Sequence, residues 1–211
     1  MKFDEMTDDW VINEIEKIKY TYGLNKVIRY NLTRDESTES TTQSVAEHVY
    51  NMLILAHYFR DLEDPEHIMD MEKVTKMILM HDMVEIETGD IVMNKKTEDK
   101  KISEVEALEK TISHSPAFIA QEIKNLVFEY DNYSTGEGKF VKAIDKIEQQ
   151  FWHSVFCNPG MICTTCLKED RNNNELKRRE IYKKCGFKLI EKFGLVIHEK
   201  MCQKYPEYSD L

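Results

Sequence analysis

The sequence predicts an all-α protein: a bundle of several helices with an additional helix at its C-terminal end. Three observations carry this expectation. Apolar residues recur at three- and four-residue spacing along most of the chain, no segment alternates with period two, and only 7 Gly and 4 Pro punctuate 211 residues. With 41% hydrophobic residues the chain can build a real core. Its length suits a single domain, with a core over about residues 17–150 and a helical extension over 151–211.

The elements follow in order. Residues 9–22 place Trp10, Ile12, Ile15, Ile18 and Tyr22 at helical spacing. A polar loop rich in Ser, Thr and Glu follows, through Arg29, Tyr30 and Arg34 to Gln43. Ser44 with Glu47 three residues later is a capping-box pattern, and it opens a helix through Val45, Val49, Met52, Leu55, Ala56 and Phe59. Asp64-Pro65 turns the chain. Residues 71–86 read as one central, apolar helix that breaks at Gly89. Residues 95–101 read as a charged loop, 102–113 and 116–130 as two amphipathic helices, and 139–156 as another. Residues 157–174 contain Pro159-Gly160 and an Asn run and read as irregular; one long helix is expected over 176–201.

Charge and composition exclude several classes. A net charge of −10 argues against a general nucleic-acid binder, which needs a basic face. No run approaches the roughly 18 apolar residues of a membrane span, and the acidic N-terminus does not read as a signal peptide. Five cysteines, an odd number and all beyond residue 156, suit a reducing compartment. A cytoplasmic protein with a small-molecule partner is the expectation.

One cluster carries chemistry. His81 and Asp82 interrupt an apolar helix pattern, and an imidazole beside a carboxylate in apolar surroundings is costly unless something pairs with both. A divalent cation accepts nitrogen from one and oxygen from the other. His48 sits on the inward face of the preceding helix, and Asp145 is flanked by apolar residues that turn it inward. Two His and two Asp from three helices make one mononuclear site. Glu85, one turn beyond His81, falls on the same face, and Asp90 lies just past Gly89.

The segments Ser44-Val-Ala-Glu-His48, His81-Asp-Met-Val-Glu-Ile-Glu-Thr-Gly-Asp90 and Lys139-Phe-Val-Lys-Ala-Ile-Asp145 resemble the HD-domain phosphohydrolases, and most closely the HD-domain 5′-deoxynucleotidases. The resemblance implies a helical fold, commonly dimeric, that hydrolyses nucleoside 5′-monophosphates to nucleoside and phosphate. It implies one divalent transition metal, such as manganese or cobalt, on His48, His81, Asp82 and Asp145. Glu85 and Asp90 would handle protons and hold the attacking water. Arg29 and Tyr30 would contact phosphate and sugar, and Asp82, Asp90 and Asp145 would also face the substrate. Tyr30 stands where these enzymes commonly carry a tryptophan near the sugar 2′ position, and the connection from Arg29 to His48 is longer than in compact members. The resemblance thus constrains the reaction more tightly than the sugar.

The chemistry independently suits these residues. Phosphate-ester hydrolysis needs charge neutralised on the nonbridging oxygens, an activated water and a protonated leaving group. A divalent ion serves the first two, and suitably placed carboxylates serve proton transfer. Arg29 offers a bidentate, permanent charge. Two rivals are an HD hydrolase of another phosphate ester and a noncatalytic nucleotide-binding module; the second has no need of Glu85 and Asp90. His153, Cys157, Cys163 and Cys166 could form a zinc site, yet a pair of free thiols fits their irregular spacing better.

Overall fold

The computed structural model describes residues 6–29, 43–90, 98–156 and 168–204, and within them the chain is helical. Helix α1 spans Asp8–Thr21 and passes into a short tight helical turn, Tyr22–Asn25. Then come α2 (Val45–Glu63), α3 (Met71–Met80), the single turn α4 (Glu85–Thr88) and α5 (Glu98–His114). The bundle is completed by α6 (Ala117–Asn132), α7 (Gly136–Phe156), α8 (Lys168–Cys185) and α9 (Lys188–Lys204). Among the described residues no strand forms. The nearest approach is a two-rung backbone pairing, in which Arg29 N–H donates to the Gln43 carbonyl at 2.8 Å and Val45 N–H to the Val27 carbonyl at 2.9 Å.

Helix α7 is the hub, packed by α2, α3, α6, α8 and α9. A helix surrounded on this many sides must be apolar nearly all round. Phe140, Val141, Ala143, Ile144 and Ile147 meet that demand and are fully buried. They pack with Met52 and Phe59 of α2, Met77 and Ile78 of α3, and Ile123 of α6 in one continuous core. The same helix buries Asp145, Lys146, Glu148 and Gln150. Four buried polar groups on one helix are affordable only if each finds partners. The partners of Asp145, Lys146 and Glu148 belong to the site described below, whereas Gln150 pairs with Tyr182, Glu175 and the Gly194 carbonyl under α8 and α9.

Local chemistry sets the helix ends. Ser44 Oγ accepts from Glu47 N–H at 3.2 Å while a Glu47 carboxylate oxygen accepts from Ser44 N–H at 2.6 Å, the expected capping box. Gly138 lets α7 start against the end of α6, where an added Cβ would lie 2.7 Å from the Glu129 carbonyl oxygen. Backbone cannot swing aside as a side chain can. Gly138→Ala is therefore expected to lower stability by about 1–3 kcal/mol, the usual range for overpacking, although alanine is the better helix former. Thermal unfolding checks this; an unchanged or raised Tm would contradict it.

Four expectations need correction. The central helix does not run through 86: α3 ends at Met80, and residues 81–84 form a tight turn with i→i+3 bonds from Met83 to Met80 and from Glu85 to Asp82. Apolar spacing looks alike in such a turn and in an α-helix, so periodicity could not separate them. The single helix expected over 176–201 is two helices, broken at Gly186 with φ of +85°. Glu63 of α2 then accepts from the N–H groups of Leu189 and Ile190, at 2.7 and 2.8 Å, and so caps α9 from outside. Finally, α5 already covers 98–101 and α8 already covers 168–174, where loop and irregular chain were expected.

Candidate metal centre and active site

His48 enters the site from the first turns of α2, whose register the Ser44–Glu47 box fixes. It is wholly buried, and its Nδ1 lies 2.5 Å from Glu148 Oε2. An ionised carboxylate can only accept, which puts the proton on Nδ1 and leaves the Nε2 lone pair free. That Nε2 stands 3.4 Å from Asp145 Oδ1 and 3.8 Å from Asp82 Oδ2, with no hydrogen bond to any described residue.

His81 caps α3 and repeats the arrangement by other means. Its Nδ1 donates to the Ile78 carbonyl at 2.9 Å, which again frees Nε2. Nε2 lies 3.1 Å from Asp82 Oδ2 without making a hydrogen bond. His81 closes the last turn of α3, its N–H bonded to the Met77 carbonyl, and Asp82 begins the tight turn that follows. One ligand atom each from His48, His81 and Asp82 falls within 4.8 Å of the others.

These residues fit a metal ion. Two buried imidazole nitrogens point into one space lined by carboxylate oxygens and find no proton donor there among the described residues. Mixed imidazole and carboxylate donors suit borderline divalent transition ions. The charge balance agrees. Despite burial, His81, His48 and Arg29 hold the Asp82 carboxyl well below the usual range, and Lys146 and His48 do the same for Asp145. Burial and the Arg29 charge work against a proton on His48, but the carboxylates of Asp145 and Glu148 prevail and raise its pKa.

Glu85 is the opposite case. It stands at the first position of α4, and one carboxyl oxygen is buried with no hydrogen bond to any described residue. Burial, reinforced by the charges of Asp82 and Asp90, pushes its carboxyl up to about 10. A cation among the ligands would oppose that repulsion and favour the ionised form. Asp90 follows Gly89, whose φ of +67° turns the chain out of α4, and the Asp90 charge reaches Glu85. Arg29, only 6% exposed, sets Nη1 3.5 Å from Asp82 Oδ2.

The sequence-derived residues His48, His81, Asp82, Glu85, Asp90, Asp145 and Arg29 thus converge. Tyr30 and Arg34 lie outside the described residues, as do Cys157, Cys163 and Cys166. Several buried groups around the ligands were missed. Glu148 accepts from Gln43 Nε2 at 2.5 Å and Asn51 Nδ2 at 3.1 Å besides holding His48. Tyr130 OH and Lys146 Nζ donate to Asp145 Oδ2 at 2.6 and 2.7 Å, so Oδ1 alone faces His48. The Lys142 ammonium sits 3.6 Å from the centre of the Tyr130 ring, and burial pulls its pKa down to about 8. Only Glu148 had a readable signal: it follows Asp145 by three residues and shares its helix face.

Comparison with known proteins meets this geometry. A family model for the HD domain matches residues 23–156. The 5′-deoxynucleotidase hdd1 of Schizosaccharomyces pombe is 38% identical over 112 residues, covering 50% of this chain and 54% of its own. The 5′-deoxynucleotidase HDDC2 of Homo sapiens is 32% identical over 108 residues, covering 50% of each. The chain thus spans about half the length of the curated relatives it matches. Among solved structures, one described as a predicted metal-dependent phosphohydrolase from Magnetospirillum magnetotacticum superposes with a TM-score of 0.72 at 19% identity, over 93% of this chain and 96% of that one. An HD-domain phosphohydrolase from Listeria innocua gives 0.65 at 20% identity, over 88% of each. At such identity these two bear on the fold alone.

Proposed function

Because the chain belongs to the HD-domain family, we propose that it is a metal-dependent phosphohydrolase that cleaves (deoxy)nucleoside 5′-monophosphates to nucleoside and phosphate. The observation that carries this reading is the pair of buried Nε2 atoms of His48 and His81, without a hydrogen bond to any described residue, beside the carboxylates of Asp82 and Asp145. The names of the curated relatives supply the substrate class.

His48, His81, Asp82 and Asp145 hold one divalent ion of the manganese or cobalt type. When bound, such an ion neutralises charge on the phosphoryl oxygens and acidifies the attacking water. The protein's own groups do the rest. Glu85, once ionised, orients that water and takes its proton. The proton that Glu85 takes passes through Asp90 to the leaving 5′ oxygen, so both carboxylates end the cycle as they began it. Arg29 turns from Asp82 toward the incoming phosphate, where its planar fork makes two parallel bonds, and Tyr30 flanks the sugar. Asp82, Asp90 and Asp145 border the substrate.

The wider reading is a single domain whose α8 and α9 brace α7, working as a homodimer in the cytoplasm without nucleic-acid or membrane partners. Support for self-association is the outer face of α1, where Ile12, Ile15 and Ile18 are all exposed. Among the described residues no helix is long and apolar enough to cross a membrane.

Metal-stripped protein assayed for phosphate release from ribo- and deoxyribonucleoside 5′-monophosphates tests the activity. Release should depend on added manganese or cobalt and exceed that from nucleoside triphosphates or nonnucleotide esters. No release from any monophosphate with any ion would overturn the reading.

A further inference from the structure

We propose that Glu148 is a positioning residue that fixes the orientation and tautomer of His48 for metal binding; the inference rests on the metal site read above. His48 and Glu148 are 0% and 1% exposed, and their 2.5 Å contact is sealed from water. Glu148 cannot drift, because Gln43 and Asn51 both donate to its other oxygen. Two side chains, Gln43 and Asn51, thus pin one carboxylate, and the carboxylate pins one imidazole. A carboxylate behind a metal-bound histidine holds the ring plane and makes the nitrogen on the far side a better donor.

The two histidines differ in how they are held. His81 owes its proton placement to the main-chain carbonyl of Ile78, which no substitution removes. His48 owes its own to a side chain. Glu148 is thereby the point at which the ligand set can be loosened without touching a ligand. It also joins two functions of the site, since Gln43 accepts the main-chain N–H of Arg29 through its carbonyl while its amide holds Glu148.

The test uses the full chain, stripped of metal and titrated with manganese(II) by calorimetry, as wild type, Glu148→Gln and Glu148→Ala. Thermal unfolding defines the temperature range in which each is folded. Expected are one ion per wild-type chain, a several-fold weaker affinity for Glu148→Gln, whose amide oxygen still accepts from Nδ1, and a loss of about 10–100-fold for Glu148→Ala. Nitrogen-15 signals of the His48 ring should move from the Nδ1–H form in wild type toward a mixture of the two neutral forms in the variants. A purely structural Glu148 would lower Tm and leave affinity and ring signals alone; that result overturns the proposal. Should Glu148→Ala not fold, unchanged affinity and ring signals in Glu148→Gln overturn it equally. Absence of manganese binding by wild type would remove the metal reading and this inference together, whereas equal binding by wild type and variants removes only the inference.

Discussion

Replacing His81 by alanine should reduce phosphate release by about a thousandfold or more, because it removes one of two imidazole donors and with it several kcal/mol of charge stabilisation. The fold should survive. His81 Nε2 makes no hydrogen bond among the described residues, and the ring's one such bond runs to the Ile78 carbonyl at the end of α3. The combination to look for is lost activity and lost metal binding with a helical circular-dichroism spectrum and a cooperative melt. If the variant turned over at near the wild-type rate while folded, the ligand assignment would be wrong.

Glu85→Gln should cost about 10²–10⁴-fold in turnover, the usual contribution of a positioned general base, while metal affinity stays close to wild type. The same substitution has an opposite effect on stability. In the metal-free protein the Glu85 carboxyl is raised to about 10 from an ordinary value of 4.5, so the folded state holds its proton more tightly than the unfolded state does. Stability from this group is complete below about pH 4.5 and is lost as pH rises toward 10. Glutamine carries no such proton, so the metal-free variant should melt above wild type at pH 8 and show a flatter dependence of Tm on pH. Bound metal should narrow the gap by favouring the ionised wild-type side chain. Full turnover by Glu85→Gln with metal bound would remove Glu85 from the mechanism.

What was legible in the sequence follows from what each feature depends on. The ligand candidates could be read because a charged residue inside an apolar helix pattern is costly, and four of them in sequence order narrow the explanations. Ser44 and Glu47 could be read because a capping box involves only neighbours three residues apart. The break at His81 could not, since an i→i+3 turn keeps the same apolar spacing over one turn. Gly186 carried a usable sign, a glycine after two lysines, yet the flanking helical pattern hid it. Tyr130, Gln43 and Asn51 were out of reach: each becomes part of the site only through packing against α7.

The position of α7 has a consequence for how the protein opens. Local fluctuations that expose backbone usually involve elements with few neighbours, whereas a helix enclosed on all sides is released only when the bundle itself comes apart. Asp145 and Glu148 both ride on that enclosed helix, while Glu85 and Asp90 ride on and just after a single turn, α4, between α3 and α5. One of the four ligands, Asp145, and the carboxylate behind His48 therefore belong to the most enclosed helix among the described residues, and the proton-handling pair to one of the shortest elements. Part of the grip on the ion is thereby tied to global folding, while the proton-handling carboxylates depend on the packing of a single turn against α5.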